Sequence, residues 1–234
     1  MSAGLPTSYP PVTTVAGAVA RMAAIEASLP PSDGLCCFNR MYLDVTREVG
    51  ARITAGFFAD LAFMTHLDVT FAGLYFDAVD AAADPRTVPV AWRPLVERRA
   101  QPGIEPVQFA LAGMNAHINH DLPVAMVQTC TALDTSPAAG THLADYQKVD
   151  RLLDAAEQSI RRSFESLPER AADQHLSAVC NLIACWTINS ARDLAWDNCL
   201  LLWEVRDNPV AYKLACDGLA ETAALASRML LAAV

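Results

Sequence analysis

The chain has 234 residues, 53% of them hydrophobic and 18% charged, with a formal net charge of -9. That length makes one domain or two small ones, and it buries enough surface to hold a core without disulfides or a structural metal. With 17 Lys and Arg against 26 Asp and Glu, it lacks the basic footprint that neutralises a phosphate backbone, which argues against a nucleic-acid partner.

Residues 1–11 read as a Pro/Ser/Thr-rich arm, and 12–234 as one helical domain. Val12 to Leu29 predicts an alanine-rich helix stopped by Pro30-Pro31. Ser32-Asp33 offers an N-cap for a helix running to Thr54, in which Phe38, Met41, Val45, Val49 and Ile53 recur every three or four residues and predict a core face. Leu61 to Ala83 repeats the pattern through Met64, Leu67, Phe71, Leu74 and Ala78 and ends at Asp84-Pro85. A Pro/Arg-rich connector with a short helix from Trp92 to Arg99 leads to Pro106, suited to the first turn of the next helix. That helix is expected to run to about Asp121, bend or restart at Leu122-Pro123, and end near Leu133. Thr135 to Gly140 reads as a loop and Asp145 to Ser166 as an amphipathic helix. Pro168 opens a helical stretch reaching about Val205, and Asn208-Pro209 begins the last helix, to Leu230. No segment alternates with a period of two, so the predicted fold is all-α: a single-domain multi-helix bundle of about seven to nine helices, without repeats.

The longest apolar runs, Leu176 to Ile188 and Ile53 to Met64, fall short of the roughly 20 residues a spanning helix needs, so no membrane is expected. Met1 to Pro6 carries no cationic segment of the kind that opens a secretory signal. The seven cysteines are odd in number, mostly in apolar helical contexts, and contain no Cys-x-x-Cys. Free buried thiols and a cytoplasmic location are the expectation.

Polar groups are scarce, which makes Asn115-Ala116-His117-Ile118-Asn119-His120-Asp121 conspicuous within an apolar helix. At about 100° per residue, His117, His120 and Asp121 fall on one arc, the device that presents several ligands from one helix face. Imidazole and carboxylate are usual ligands of Zn and non-haem Fe, so the three predict a divalent metal site, completed by His66, which stands with Asp68, or by His142, which stands with Asp145. The competing reading makes the same residues structural hydrogen-bonding groups beside a proline. Asn115 and Asn119 would orient ligands or substrate. Asn39, Tyr42 and Trp196 are further substrate-binding candidates. Arg192 and Trp196, at i and i+4, predict a stacked pair in which Arg192 holds either a structural carboxylate such as Asp121 or a substrate anion. His142 with Asp145 reads as a helix start with a capping carboxylate, His175 as surface. Asp77, Asp80 and Asp84 form either a Mg²⁺-diphosphate device or a solvated helix end.

On these residues the sequence resembles a bacterial all-α family of unknown function. The landmarks are Phe38-Asn39-Arg40-Met41-Tyr42 with Thr46, Leu67-Asp68-Val69 with Phe71 and Tyr75, the stretch Ala110 to Pro123 containing Asn-x-His-x-x-His-Asp-x-Pro, and Ala191 to Trp196. The resemblance implies no activity. His117 and Asp121 also resemble the His-x-x-x-Asp pair of the zinc-dependent phospholipase C and S1/P1-type nuclease group. That group continues with Gln-Pro-x-His, where this chain has Leu122-Pro123-Val124-Ala125. The likeness implies a helical histidine/carboxylate site rather than a phosphodiesterase.

Three functions follow. The leading expectation is a metal-dependent hydrolase- or lyase-type enzyme acting on a small, largely apolar metabolite, with His117, His120, Asp121 and Arg192 as the catalytic set. The second is metal-free acid/base chemistry, a cyclase or isomerase on an isoprenoid-like substrate. The third is a non-enzymatic small-molecule-binding or interaction protein. The expected partner is a small molecule, with room for a homodimer.

Overall fold

Polar caps set where the helices begin. In a computed structural model, which describes the backbone of residues 11–165 and 187–232 and the side chains of 11–153 and 187–232, Thr14 accepts from the Gly17 N–H and starts α1 (Val15–Ser28). Asp33 accepts from Leu35 N–H at the head of α2 (Gly34–Thr54), and Asp60 from Phe63 N–H at the head of α3 (Leu61–Ala81). A 3₁₀ turn (Val90–Trp92) runs into α4 (Arg93–Arg98). Glu105 and Gln108 form a reciprocal capping box that opens α5 (Pro106–Ala116). A π-helical turn (His117–Asp121) joins α5 to α6 (Leu122–Ala132), and α7 (His142–Glu165) follows. Thr187 caps α8 (Ile188–Val205) and Asn208 caps α9 (Pro209–Leu230).

The architecture is all-α in one domain, with no strand among the described residues. The expected boundaries shift at several helix ends: α7, expected from Asp145, starts at His142, and α3, expected to reach Ala83, ends at Ala81. The first helix starts at Val15 rather than Val12, because the Thr14 hydroxyl caps there. Of the stretch expected to be helical from Pro168 to Val205, the described part begins at Thr187, which is extended (φ -124, ψ 147) and accepts from Ser190 N–H at the head of α8, while 168–186 lie outside the described residues. Residues 1–10 of the expected arm, His175, Cys180 and Cys185 lie outside the described residues. The described cysteines, Cys36, Cys37, Cys130, Cys199 and Cys216, are free thiols. No helix among the described residues is long and apolar enough to cross a membrane.

α2 packs on α1, α5 and α7, and α5 packs in turn on α9. Two glycines permit the α2–α5 approach. A Cβ on Gly34 would stand 2.5 Å from the Phe109 ring, and one on Gly113 would stand 2.4 Å from the Phe38 ring. Each helix thus lays a phenylalanine over a bare stretch of the other's backbone. A second tie is polar: Asp145 at the head of α7 is fully buried and accepts from the backbone N–H groups of Ala59 (2.9 Å) and Asp60 (2.7 Å), from Thr141 and from Lys148. It locks α7 against the entry to α3. The capping role expected of Asp145 is not the one seen: its oxygens accept from the N–H groups just ahead of α3, and Asp60 is the residue that caps that helix.

Candidate functional site

The backbone around His117 departs from α-helical geometry for a chemical reason. Pro123 has no N–H to return to the Asn119 carbonyl, and Leu122 N–H reaches five residues back to the His117 carbonyl. The resulting π turn, a device found often at functional sites, sets His117 over Asp121. Nδ1 of His117 lies 2.9 Å from Asp121 Oδ2, and Nδ1 of His120 lies 2.7 Å from Oδ1. The indole N–H of Trp92 donates to Oδ2 at 2.8 Å.

Burial by itself raises the pKa of Asp121, but the hydrogen bonds from His117 and His120 outweigh it and hold the carboxyl below the usual range. Asp121 is therefore an acceptor only, which fixes the proton of His117 on Nδ1 and leaves Nε2 as a bare lone pair. Burial pushes the pKa of His117 down against the pull of Asp121, so the ring is neutral.

That ring sits in an aromatic enclosure. It stacks on Phe71 at 3.5 Å and 6°, and meets the edge of Tyr42 at 4.5 Å, with Phe38 and Trp92 each at 5.8 Å. Beside it lies a cavity of about 90 Å³ between α2, α3, the π turn, α7 and α8. Its walls are apolar, Met41, Val45, Met64, Leu67, Ile118 and Val149 among them. Three polar groups interrupt those walls without a hydrogen-bond partner among the described residues: Tyr42 hydroxyl, Asp68 Oδ2 and His117 Nε2. Asp68 is partly exposed as a residue, yet Oδ2 is sealed inside, and burial pushes its pKa up to about 7. Burial likewise pushes Tyr42 up, with the Asp68 charge adding to it. Buried polar atoms without partners are rare in folded proteins, and three on one cavity make it the candidate site of this chain.

A model described as a family of unknown function, DUF5995, matches residues 15–233. The chain belongs to DUF5995. No curated protein and no solved structure matches it, and the likeness to the zinc-dependent phospholipase C and nuclease group finds no support there.

In this DUF5995 chain the other expected site residues divide between the cavity and the scaffold. His117, Asp121 and His120 do come together, but around the carboxylate: all three N–H donors point at Asp121, whose oxygens they occupy. Among the described residues no three His, Cys, Asp or Glu side chains are arranged to hold a metal ion. The expected set of His117, His120, Asp121 and His66 thus does not fit a divalent metal as placed. His66 is turned instead to the hydroxyls of Thr70 (3.2 Å) and Thr129 (3.4 Å).

Arg192 lines the cavity, but its Nε binds Asp150 and its terminal nitrogen donates to the Tyr146 carbonyl at 2.7 Å. It stacks over Tyr146 at 4.0 Å rather than on Trp196, which packs against the same Tyr146 ring. Asp150, not Asp121, is the carboxylate it holds.

Asn115 donates to the Ala223 carbonyl (2.7 Å) and to Ser227 (2.9 Å), and accepts from Asn119 at 2.9 Å. It ties the π turn to α9. Asn39 donates to the Met22 carbonyl and accepts from Tyr75. Of the expected substrate-binding residues Asn39, Tyr42, Asn115, Asn119 and Trp196, the cavity receives Tyr42 alone. Asp77 and Asp80 are exposed, and Asp80 pairs with Arg21. His142 donates from Nδ1 to the Ser136 carbonyl (2.9 Å), with Nε2 3.3 Å from Asp60 Oδ2 and the ring stacked on Phe63, a structural placement.

Phe71 and Trp92 are missing from the expected set, and Asp68 figures in it only as the neighbour of His66. A signal for Asp68 existed, a lone carboxylate within Leu67-Asp68-Val69. Proximity groups it with His66, but two residues along a helix turn the pair to different neighbours.

Proposed function

We propose that the protein is an acid/base enzyme that encloses part of a small, largely apolar molecule and moves a proton on its polar group. His117 is the general base: Nε2 faces the bound molecule, and Asp121 holds Nδ1–H, fixes the tautomer and stabilises the imidazolium formed when the proton arrives. Asp68, which exchanges its proton near neutrality, and the Tyr42 hydroxyl bind and orient the polar group. The observation that carries the reading is the convergence of three buried, unpartnered polar atoms on one apolar cavity.

The volume constrains the ligand. A cavity of about 90 Å³ is smaller than the roughly 150 Å³ pocket that takes benzene, so the enclosed portion has only a few heavy atoms. Metal-dependent chemistry on the same residues is the competing proposal, and it requires Asp121 to release its three donors.

His117→Asn separates the two. Its amide nitrogen substitutes for Nδ1 and keeps the bond to Asp121, while the base at Nε2 is gone. Small apolar amines, alcohols and ketones would be tested for conversion by wild type and variant, in chelator. A conversion that persists in chelator and falls at least about 100-fold in His117→Asn supports the proposal. Conversion that needs added Zn²⁺ or Fe²⁺, or that His117→Asn performs at the wild-type rate, overturns it.

A further inference from the structure

The unpartnered atoms of the cavity are not a balanced set. His117 Nε2 has a lone pair and no proton, because its other nitrogen carries the proton to Asp121. Asp68, when ionised, is an acceptor only, and no cation among the described residues pairs with it. The Tyr42 oxygen accepts as readily as it donates. Once Asp68 is ionised, the three atoms offer acceptors at every position and a single proton, that of the Tyr42 hydroxyl; what the cavity lacks is enough donors to match them.

The cation on its wall does not fill that role. Arg192 is neutralised by Asp150, with Nε on that carboxylate and Nη2 on the Tyr146 carbonyl. The remaining surfaces suit a positive charge: the rings of Phe38, Tyr42 and Phe71 present themselves within the same enclosure, and aromatic faces attract ammonium groups. A hydroxyl ligand would bring one donor, and a carboxylate would bring none while facing Asp68.

We infer that the cavity binds a small primary amine as its ammonium ion, whose three N–H groups donate to Asp68 Oδ2, His117 Nε2 and the Tyr42 oxygen, with a short aliphatic body against Met64, Leu67 and Ile118. This rests on the reading of the cavity as the ligand site and adds the class of ligand. Recognition is by charge at Asp68 and by geometry at the other two. The titratable and charged groups that share the cavity with Asp68 are Tyr42 of α2, His117 of the π turn, Tyr146 of α7 and Arg192 of α8, with Asp121 and His120 behind His117. Ammonium binding displaces the proton that Asp68 carries in the free protein, so affinity rises as pH goes from 5 to 8, below the pKa of an alkylamine.

The test is a titration with n-butylamine, 1-butanol and butyrate, followed through the ring resonances of Phe71 and Tyr42 at pH 5 and pH 8. At pH 8, n-butylamine is expected to bind at least about tenfold more tightly than 1-butanol, the scale of one charge-assisted contact. Asp68→Asn removes that advantage, and a cooperative melt at or above the wild-type temperature shows that the variant is folded. If 1-butanol or butyrate binds as tightly as the amine, or if Asp68→Asn binds the amine as wild type does, the amine inference is overturned while the cavity remains a ligand site. If none of the three moves the Phe71 and Tyr42 resonances, both the inference and the reading beneath it fail.

Discussion

His117 and Asp121 stand one π turn apart, Nδ1 to Oδ2 at 2.9 Å, and their bond decides what the opposite edge of the imidazole can do. An ionised, buried acceptor behind the ring makes Nε2 the basic atom. The aromatic enclosure keeps water from it, and the cavity gives it something to act on.

Asp121→Asn tests that coupling. An amide in this place accepts through its oxygen but turns an N–H toward one of the three donors, favouring the wrong tautomer of His117. Conversion of any substrate is expected to fall by at least about 100-fold. Asp121→Ala leaves Trp92, His117 and His120 with buried donors and no acceptor, each worth about 1–3 kcal/mol. A chemical-denaturation midpoint well below that of Asp121→Asn checks the second statement.

Tyr42→Phe separates binding from stability. The hydroxyl is buried without a partner among the described residues, so deleting it removes a desolvation penalty and no hydrogen bond. The variant is expected to melt at or above the wild-type temperature, by up to about 1 kcal/mol, while losing affinity for ligands. A variant that is both destabilised and unimpaired in binding would assign the hydroxyl to the scaffold.

Asp68 imposes a pH dependence opposite to that of most carboxylates. The native protein keeps its proton up to about pH 7, whereas the unfolded chain releases it near 3.8. The native state thus binds the extra proton in that window, and stability falls as pH rises from about 4 to 7, by at most about 4 kcal/mol. Asp121 and Asp145, held low, act in the other direction, losing stability as pH falls. The difference between wild type and Asp68→Asn isolates the Asp68 contribution: the variant gains stability relative to wild type between pH 4 and 7, and the gain is constant above.

Gly113→Ala strikes the scaffold beneath the site. Its Cβ would sit 2.4 Å from the Phe38 ring, which packs on Tyr42 and His117, so the ring must move toward the cavity. A loss of about 1–3 kcal/mol is expected from overpacking, together with weakened ligand binding, measured by melting and titration. Gly73, where a Cβ meets nothing within 4 Å, is the control position, and alanine there is expected to leave binding unchanged.

Local chemistry made the scaffold readable. Asp33, Asn208 and Pro106 mark helix starts because caps and first-turn prolines act through neighbours a few residues away. The cluster around His117 was legible because polar residues are scarce in an apolar helix. The π turn was not, since a single missing N–H at Pro123 allows a bend, a restart or a wider turn, and the tertiary contacts of His117 choose among them. For the same reason Arg192 was readable as an ion-pair former but its partner was not: Asp150 lies 42 residues away and on another helix. Asp68 joins Tyr42 and His117 only when α2, α3 and the π turn close around one space, which no spacing along the chain records.

The central claim, a neutral His117 with its proton on Nδ1 and a bare Nε2 facing the cavity, is tested most directly by ¹⁵N NMR of the imidazole nitrogens, assigned by comparison with His117→Asn. The account predicts a protonated Nδ1 and an unprotonated Nε2 at pH 7, persisting below pH 6.5, with Nε2 shifting on addition of n-butylamine. A doubly protonated ring at pH 7, or the tautomer with its proton on Nε2, would contradict it.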